Sequence, residues 1–127
     1  MLASSLNEYD VDVIEVIGHT DEVPMVGQSN LDAQLVAAAA GRVPISGLRS
    51  TDNAGLAMAR AVSVVNVLRG DLRLARAAIL RLSGAQMIVP VDRMADGSAR
   101  GSDQQRRRIE IRLRRSTTEA TAAGAIR

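Results

Sequence analysis

The chain has 127 residues, enough for one compact domain but not for two independent hydrophobic cores. Hydrophobic residues make up 46% of it and charged residues 24%, a balance that excludes wholesale disorder. All 16 basic residues are arginine, but 14 acidic residues reduce the net charge to +2, so charge alone indicates no partner. The absence of cysteine excludes disulfides, thiol catalysis and cysteine metal sites.

The first part of the chain predicts the end of a helix and then a buried strand. Leu2 and Leu6 have the i, i+4 spacing of one helix face, and a loop follows up to Asp10. Val11 to Ile17 is β-branched and apolar on both faces near its end, which is typical of a central strand closing at Gly18. Because open α/β sheets bind ligands at the carboxyl ends of their strands, the polar turn after Gly18 is the first candidate site.

Three helical segments are predicted in the middle of the chain. Residues 26–50 show little regular pattern apart from the alanine-rich Leu31 to Ala40, which predicts about two helical turns before Gly41. The clearest helix begins at the N-capping residues 50–53 and ends at Arg69, with an apolar stripe on one face. Asp71 to Leu82 has a weaker helical pattern and predicts a further helix.

The last part of the chain predicts an extended segment, a loop, a strand and a tail. Gln86 to Val91 is extended and interrupted by Pro90, and Asp96 to Asp103 is a loop. Arg108 to Arg114 alternates apolar and charged residues, which predicts a strand with one solvated face. We expect one domain over residues 1–115 and a disordered tail over residues 116–127.

A catalytic role for His19 would make it a general base oriented by a neighbouring carboxylate. The chain has no second histidine, no cysteine and no Gly-x-Ser-x-Gly elbow, so hydrolase, metallopeptidase and acyl-transfer sites all lack components. We therefore predict a protein that is not an enzyme, with no catalytic residue, metal or cofactor. The alternative for His19 is a strand-end residue that hydrogen-bonds to the backbone.

The arginine-rich stretch Arg106 to Arg115 also permits a nucleic-acid hypothesis, because clustered arginines neutralise phosphates. Its charged residues alternate with apolar ones, however, and Glu110 interrupts the patch. Tyr9 is the only aromatic residue, so bases would have nothing else to stack on. The pattern favours the solvated face of a strand, and no nucleic-acid partner is predicted.

Three motifs occur in a fixed order along the chain. Gly18 to Asp21 reads Gly-His-Thr-Asp, Asn53 to Ala61 reads Asn-x-x-Leu-x-x-x-Arg-Ala, and Arg107 to Ile111 reads Arg-Arg-Ile-Glu-Ile. Together they resemble the peptidoglycan-binding domain of the OmpA/MotB family over about residues 2–115. The resemblance implies an α/β domain of the α+β sandwich kind, in which helices pack on a small mixed β-sheet.

The resemblance further implies recognition of the diaminopimelate residue of the peptidoglycan stem peptide. Asp21 and Arg60 carry over as the two central contacts, and Thr20, Asn53 and the pair Arg107–Arg108 as further contacts. An arginine fork matches a carboxylate and an aspartate accepts hydrogen bonds from an ammonium, so both charges of a zwitterion would be held. The alternative is an Asp21–Arg60 ion pair that only locks the loop to the helix.

The chain departs from the family pattern in three places. Asp21 and Asn53 are far apart in sequence, so residues 26–50 are interpreted as an insertion that could form a lid. Arg106 and Ala57 stand where the family has asparagine and serine. The family's first strand and most of its first helix would precede Leu2, and a sheet without that strand predicts poor solubility or pairing of two chains into a homodimer.

The function that the resemblance implies is non-covalent binding of peptidoglycan, which anchors a larger outer-membrane or motor-stator type protein to the cell wall. The resemblance implies a periplasmic location. No signal peptide or membrane span is recognisable in the sequence, so any membrane contact is expected through segments outside this chain. One alternative is an OmpA-like protein-interaction module that has lost its ligand. The second is the arginine-rich nucleic-acid binder.

Overall fold

The structure is a computed structural model, and it describes residues 2–90, 92–98 and 101–117. Its helices are α1 (Leu2–Tyr9), α2 (Leu31–Ala39) and α3 (Asn53–Leu68). Its strands are β1 (Val13–Gly18), β2 (Ala78–Ser83), β3 (Ile88–Val89), β4 (Arg93–Met94) and β5 (Ile109–Arg114). Single 3-10 turns lie at Ile45–Gly47 and Leu72–Leu74. The fold class is α+β, as predicted.

The main sheet has three strands in the order β2-β1-β5. Strand β1 runs parallel to β2 and antiparallel to β5, so the sheet is mixed and β1 is central, as its apolar sequence predicts. Strands β3 and β4 form a separate two-stranded hairpin. The sheet and the hairpin are joined through the loops at the carboxyl end of β1.

The hydrophobic core lies between one face of the sheet and α3. Ile14 and Val16 of β1 are fully buried against Ala61 and Val65 of α3. Helix α1 adds Leu2 and its neighbours to the edge of this cluster. The core contains no aromatic side chain, and the buried residues of α3 that face the sheet are small. The helix backbone can therefore lie close to the sheet.

Helix α3 begins where the sequence predicts, because the Asp52 carboxylate caps it by accepting a hydrogen bond from the Gly55 N–H at 2.7 Å. The Ser83 hydroxyl at the end of β2 donates to the Ala54 carbonyl at 2.6 Å. The amino end of α3 is thereby fixed at the end of the sheet that carries the candidate site.

Residues 26–50, interpreted as an insertion, contain α2 and pack on α3. Ala38 of α2 is fully buried, and its carbonyl accepts a hydrogen bond from the Asn66 side chain at 3.0 Å. The Asn30 side chain closes the segment by donating to the Gly47 carbonyl and accepting from the Arg49 N–H. The inserted segment, residues 26–50, is therefore an ordered element of the domain.

The prediction of a helix over Asp71 to Leu82 is wrong. A 3-10 turn at Leu72–Leu74 is followed by strand β2, in register with β1 from Val13↔Ala78 to Gly18↔Ser83. The leucine, alanine and arginine residues of this stretch favour a helix locally, but pairing along the whole of β1 and packing under α3 outweigh that propensity.

The predicted extended segment at Gln86 to Val91 contains β3, while Val91 itself lies outside the described residues. The predicted strand Arg108 to Arg114 is β5. Ser116, the first residue of the predicted tail, is attached to the domain, because its N–H and hydroxyl both donate to the Asp12 carboxylate. Residues 118–127 of the predicted disordered tail lie outside the described residues.

Candidate ligand site at the end of the central strand

The candidate site is formed by the turn that follows β1, the first half of α3 and the loop before β5. Helix α3 approaches the end of β1 closely at Gly18, where an added Cβ would overlap the carbonyl oxygen of Ala57. Asn53, Ala57 and Arg60 are three, four or seven residues apart, so they lie on the same side of the helix and face this turn. The three motifs, which are far apart in the sequence, thus lie together in space.

Asp21 is the most completely bonded residue of the cluster. Its Oδ2 accepts hydrogen bonds from Arg107 Nη1 at 2.6 Å and from the Asp103 N–H at 3.0 Å, and its Oδ1 accepts one from the Val23 N–H at 3.2 Å. Burial alone would raise the pKa of Asp21, but these hydrogen bonds outweigh it and hold the pKa below its usual value. Asp21 is therefore ionised at neutral pH.

Arg60 is the half-buried cation of the cluster. Its Nη1 lies 3.5 Å from the carbonyl oxygen of His19, a long hydrogen bond at the base of the turn. No carboxylate forms an ion pair with it in the described part of the chain, whereas Asp21 pairs with Arg107. The Asp21–Arg60 ion pair considered as an alternative is thus not formed among the described residues, and Arg60 retains its capacity to bind an anion.

Thr20 and Asn53 are buried and hold the turn in place. The Thr20 hydroxyl donates to the Asp21 carbonyl at 2.9 Å, and the Asn53 side-chain amide donates to the Val23 carbonyl at 3.1 Å. Both side chains therefore position the backbone from Asp21 to Val23. In the described structure they shape the site more than they line its surface.

The paired arginines have different surroundings. Arg107 bridges Asp21 and the Ser102 hydroxyl, and 35% of its side chain is exposed. Arg108 points away from Asp21, since its guanidinium donates to Glu110 at 3.0 Å and to the Ile88 carbonyl of β3 at 3.3 Å. Of the two, only Arg107 contacts Asp21.

A buried ion pair beside the site was not recognised in the sequence. Arg106 Nη1 donates to Glu22 Oε2 at 2.9 Å, and its Nη2 donates to the Gln86 carbonyl at 2.7 Å. The exposed fractions of the Arg106 and Glu22 side chains are only 3% and 7%. Arg106, noted in the sequence as a departure from the family's asparagine, therefore ties three loops together. The only feature of the sequence that could have indicated the partner of Arg106 is the position of the acidic Glu22 directly after Asp21.

His19 is fully buried and is held against the sheet. Its Nε2 lies 2.7 Å from Glu110 Oε1, without hydrogen-bond geometry, and its Nδ1 faces Gly84. Burial lowers the pKa of His19, and Arg108 lowers it further, while Glu110 acts in the opposite direction. A neutral imidazole with no access to solvent has the surroundings of a structural residue.

The remaining features of the described residues add no cofactor site. No group of three or more histidine, aspartate and glutamate side chains among them could hold a metal ion. None of the described helices is long and apolar enough to cross a membrane. Comparison of the chain with protein-family models, with curated proteins and with solved structures gives no match.

Proposed function

We propose that this domain binds peptidoglycan non-covalently through the diaminopimelate of the stem peptide, and so anchors a larger envelope protein to the cell wall. The proposal rests on the three motifs that resemble the OmpA/MotB family. The observation that supports it best is Arg60, a half-buried guanidinium at the end of the central strand with no carboxylate partner among the described residues. A ligand carboxylate would supply that partner.

The two charges of a zwitterionic ligand have separate receptors in this proposal. The planar fork of Arg60 matches a carboxylate bidentately. Asp21 accepts three hydrogen bonds within the chain, and a carboxylate offers about four lone-pair sites, so one remains for an ammonium group. Arg107, the more exposed member of its ion pair, can also swing away and expose more of Asp21.

The proposed role determines where the domain acts and what it does there. Peptidoglycan lies in the periplasm, so the proposed location is the cell envelope. Non-covalent anchoring requires no reaction, which agrees with a site whose one histidine is buried and whose carboxylates are paired. The larger protein would supply any attachment to a membrane.

The test is co-sedimentation of the purified chain with diaminopimelate-type peptidoglycan. We expect the wild type to sediment and Arg60→Ala to bind about 10- to 100-fold more weakly, the range for loss of hydrogen bonds to a charged group. Arg69→Ala is the matched control, because it removes the same charge from an exposed position at the end of the same helix. Circular dichroism establishes that each variant is folded.

Lysine-type peptidoglycan separates recognition of diaminopimelate from general adhesion to the wall. A lysine side chain ends in an ammonium without the neighbouring carboxylate, so Arg60 would lose its ligand. Equal sedimentation with both wall types, or equal binding by Arg60→Ala and Arg69→Ala, would contradict the proposed site.

A protein-interaction module that has lost its ligand is the second candidate. It is favoured by the enclosure of Asp21, whose side chain is only 7% exposed. Failure of a folded wild-type chain to sediment would support it. The nucleic-acid alternative is disfavoured, because the arginines of β5 and the loop before it pair with carboxylates of this chain rather than presenting free charge.

A further inference from the structure

Arg81 of β2 is a half-buried cation that has no acceptor in the described part of the chain. Its Nε is fully buried without a hydrogen-bond partner, and no described carboxylate forms an ion pair with its guanidinium. Arg112 and Arg114 of β5, by contrast, pair with carboxylates of the chain. Removing a cation from water without a counter-charge is unfavourable, so an anion that contacts Arg81 would offset that cost.

Arg69, the C-cap residue of α3, is a second cation at the same place. Both arginines line one surface cavity of about 550 Å³. Burial lowers the pKa of Arg81 and the positive charge of Arg69 lowers it further, which indicates that the two cations repel each other. Asp71 also lines the cavity, but Arg73 donates to its carboxylate through Nε and Nη2 and so compensates its charge. The described residues around the cavity thus include two guanidiniums and no free carboxylate.

The two guanidiniums lie on the side of the sheet that carries α3. Arg81 is two residues from Ile79, so both side chains are on the same face of β2, and Ile79 packs against the core. A strand paired with β2 would lie in the plane of the sheet, so this position does not depend on whether that edge is paired. At about 100° per residue, Arg69 lies on the opposite side of α3 from Arg60. The cavity is therefore separate from the candidate wall-binding site.

We propose that this cavity binds a phosphoryl group through the guanidiniums of Arg69 and Arg81. A phosphomonoester carries a charge of about −1.5 to −2 at pH 7, which matches two guanidiniums, whereas one carboxylate supplies a single charge. Its oxygens also accept the paired hydrogen bonds that the planar arginine fork donates. The proposal goes beyond wall binding and does not depend on it.

The rest of the cavity wall suits an attached organic group. Leu74 belongs to the hydrophobic core, and Ala75, Ala77 and Ile79 lie beside it along the wall. Charge-assisted hydrogen bonds are stronger next to such apolar surroundings than in open water. The volume falls within the range of about 300–1,000 Å³ that small-molecule sites have, so the group attached to the phosphate also has room.

The test is an NMR titration of the isotope-labelled chain with inorganic phosphate at neutral pH and constant ionic strength. We expect saturable shifts at the amides of residues 69–81. Arg81→Met should stay folded, because it replaces an unpaired charge with an apolar chain, and should bind phosphate at least about tenfold more weakly. Arg93→Met is the matched control, because it removes an exposed arginine from the separate hairpin and should bind like the wild type.

Arg60→Ala separates this cavity from the wall-binding site. Arg60 is the other half-buried arginine without a carboxylate partner among the described residues, so it is the competing position for phosphate. We expect Arg60→Ala to bind phosphate like the wild type. Loss of binding in Arg60→Ala with retention in Arg81→Met would overturn the proposal. The absence of saturable binding by the wild type up to about 50 mM phosphate would also overturn it.

Two further probes distinguish a soluble phosphomonoester from a lipid headgroup. Glycerol phosphate is the soluble probe, and vesicles of phosphatidylcholine with and without phosphatidic acid are the lipid probe. Binding of glycerol phosphate without retention on vesicles supports a soluble ligand. Retention only on the vesicles with phosphatidic acid, lost in Arg81→Met, supports a lipid headgroup. Binding of neither probe would overturn the proposal.

Discussion

The charged side chains at the end of β1 use a property of arginine that lysine lacks. Arg106 donates to Glu22 with one nitrogen and to the Gln86 carbonyl with another, while Arg107 reaches both Asp21 and Ser102. A planar guanidinium can satisfy two acceptors on different loops at once, and a lysine ammonium lacks that fixed fork. These side chains hold the turn that carries the candidate site, together with the backbone hydrogen bonds from the His19 and Thr20 N–H groups to the Arg108 and Ala85 carbonyls.

His19 predicts a pH dependence of folding. Its pKa in the folded chain is lowered from 6.5 by burial, so the unfolded chain binds more protons than the folded chain just below that pH. Stability from this group is therefore fully present above pH 6.5 and is lost as pH falls toward the folded pKa. One proton limits the slope to about 1.4 kcal/mol per pH unit. Urea unfolding from pH 8 to pH 5 measures it.

The control is His19→Gln, which has no titrating group at this position. Since His19 is the only histidine of the chain, the variant should show a flatter stability profile over this range. Asp21 and Glu110 have lowered pKa values and titrate below it. Parallel profiles for the wild type and His19→Gln would show that the buried imidazole does not govern the pH dependence.

At the scale of elements, the sequence predicts a helix or strand correctly where the residues of that element alone carry its hydrophobic pattern. The β-branched residues of β1 predict a central strand, and the apolar stripe with its Asp52 cap predicts α3. Strand β2 was missed because its pairing with β1 is a long-range contact that no local pattern contains. The role of Arg106 was missed for the same reason, since Glu22 is 84 residues away.

The contact of α3 with β1 predicts a strong effect of Gly18→Ala. The added Cβ would overlap the Ala57 carbonyl oxygen and lie 2.8 Å from the Ala57 carbonyl carbon, both backbone atoms that cannot rotate away. Helix α3 must then shift off the sheet, which we expect to lower the free energy of unfolding by about 1–3 kcal/mol. Chemical denaturation measures the loss.

Gly47→Ala is the matched control for this substitution. An added Cβ at Gly47 meets no atom within 4 Å, and its φ is not in the left-handed region. Its stability should stay close to that of the wild type. If Gly18→Ala were no less stable than Gly47→Ala, the close approach of α3 to the end of β1 would be wrong.

At the scale of the whole molecule, α3 separates the inserted segment from the candidate site. Leu31 of α2 lies over Gly55, and Asn66 donates to the Ala38 carbonyl, so the insertion contacts the stripe of α3 that contains these residues. At about 100° per residue, Arg60 lies roughly opposite that stripe. The interpretation of the insertion as a lid over the site is therefore disfavoured, and stabilisation of α3 is the role that its contacts support.

Removal of the inserted segment tests whether it stabilises α3 without taking part in ligand binding. The Asn30 N–H donates to the Arg49 carbonyl at 3.0 Å, so residues 31–48 can be replaced by two glycines without moving the ends of the segment. Because α3 would lose its cover, we expect the shortened chain to be folded but less stable in urea. If wall binding through Arg60 is correct, co-sedimentation with peptidoglycan should be unchanged. If binding changed while stability stayed the same, the segment would instead act on the site. Packing against α3 predicts that stability falls and binding stays the same.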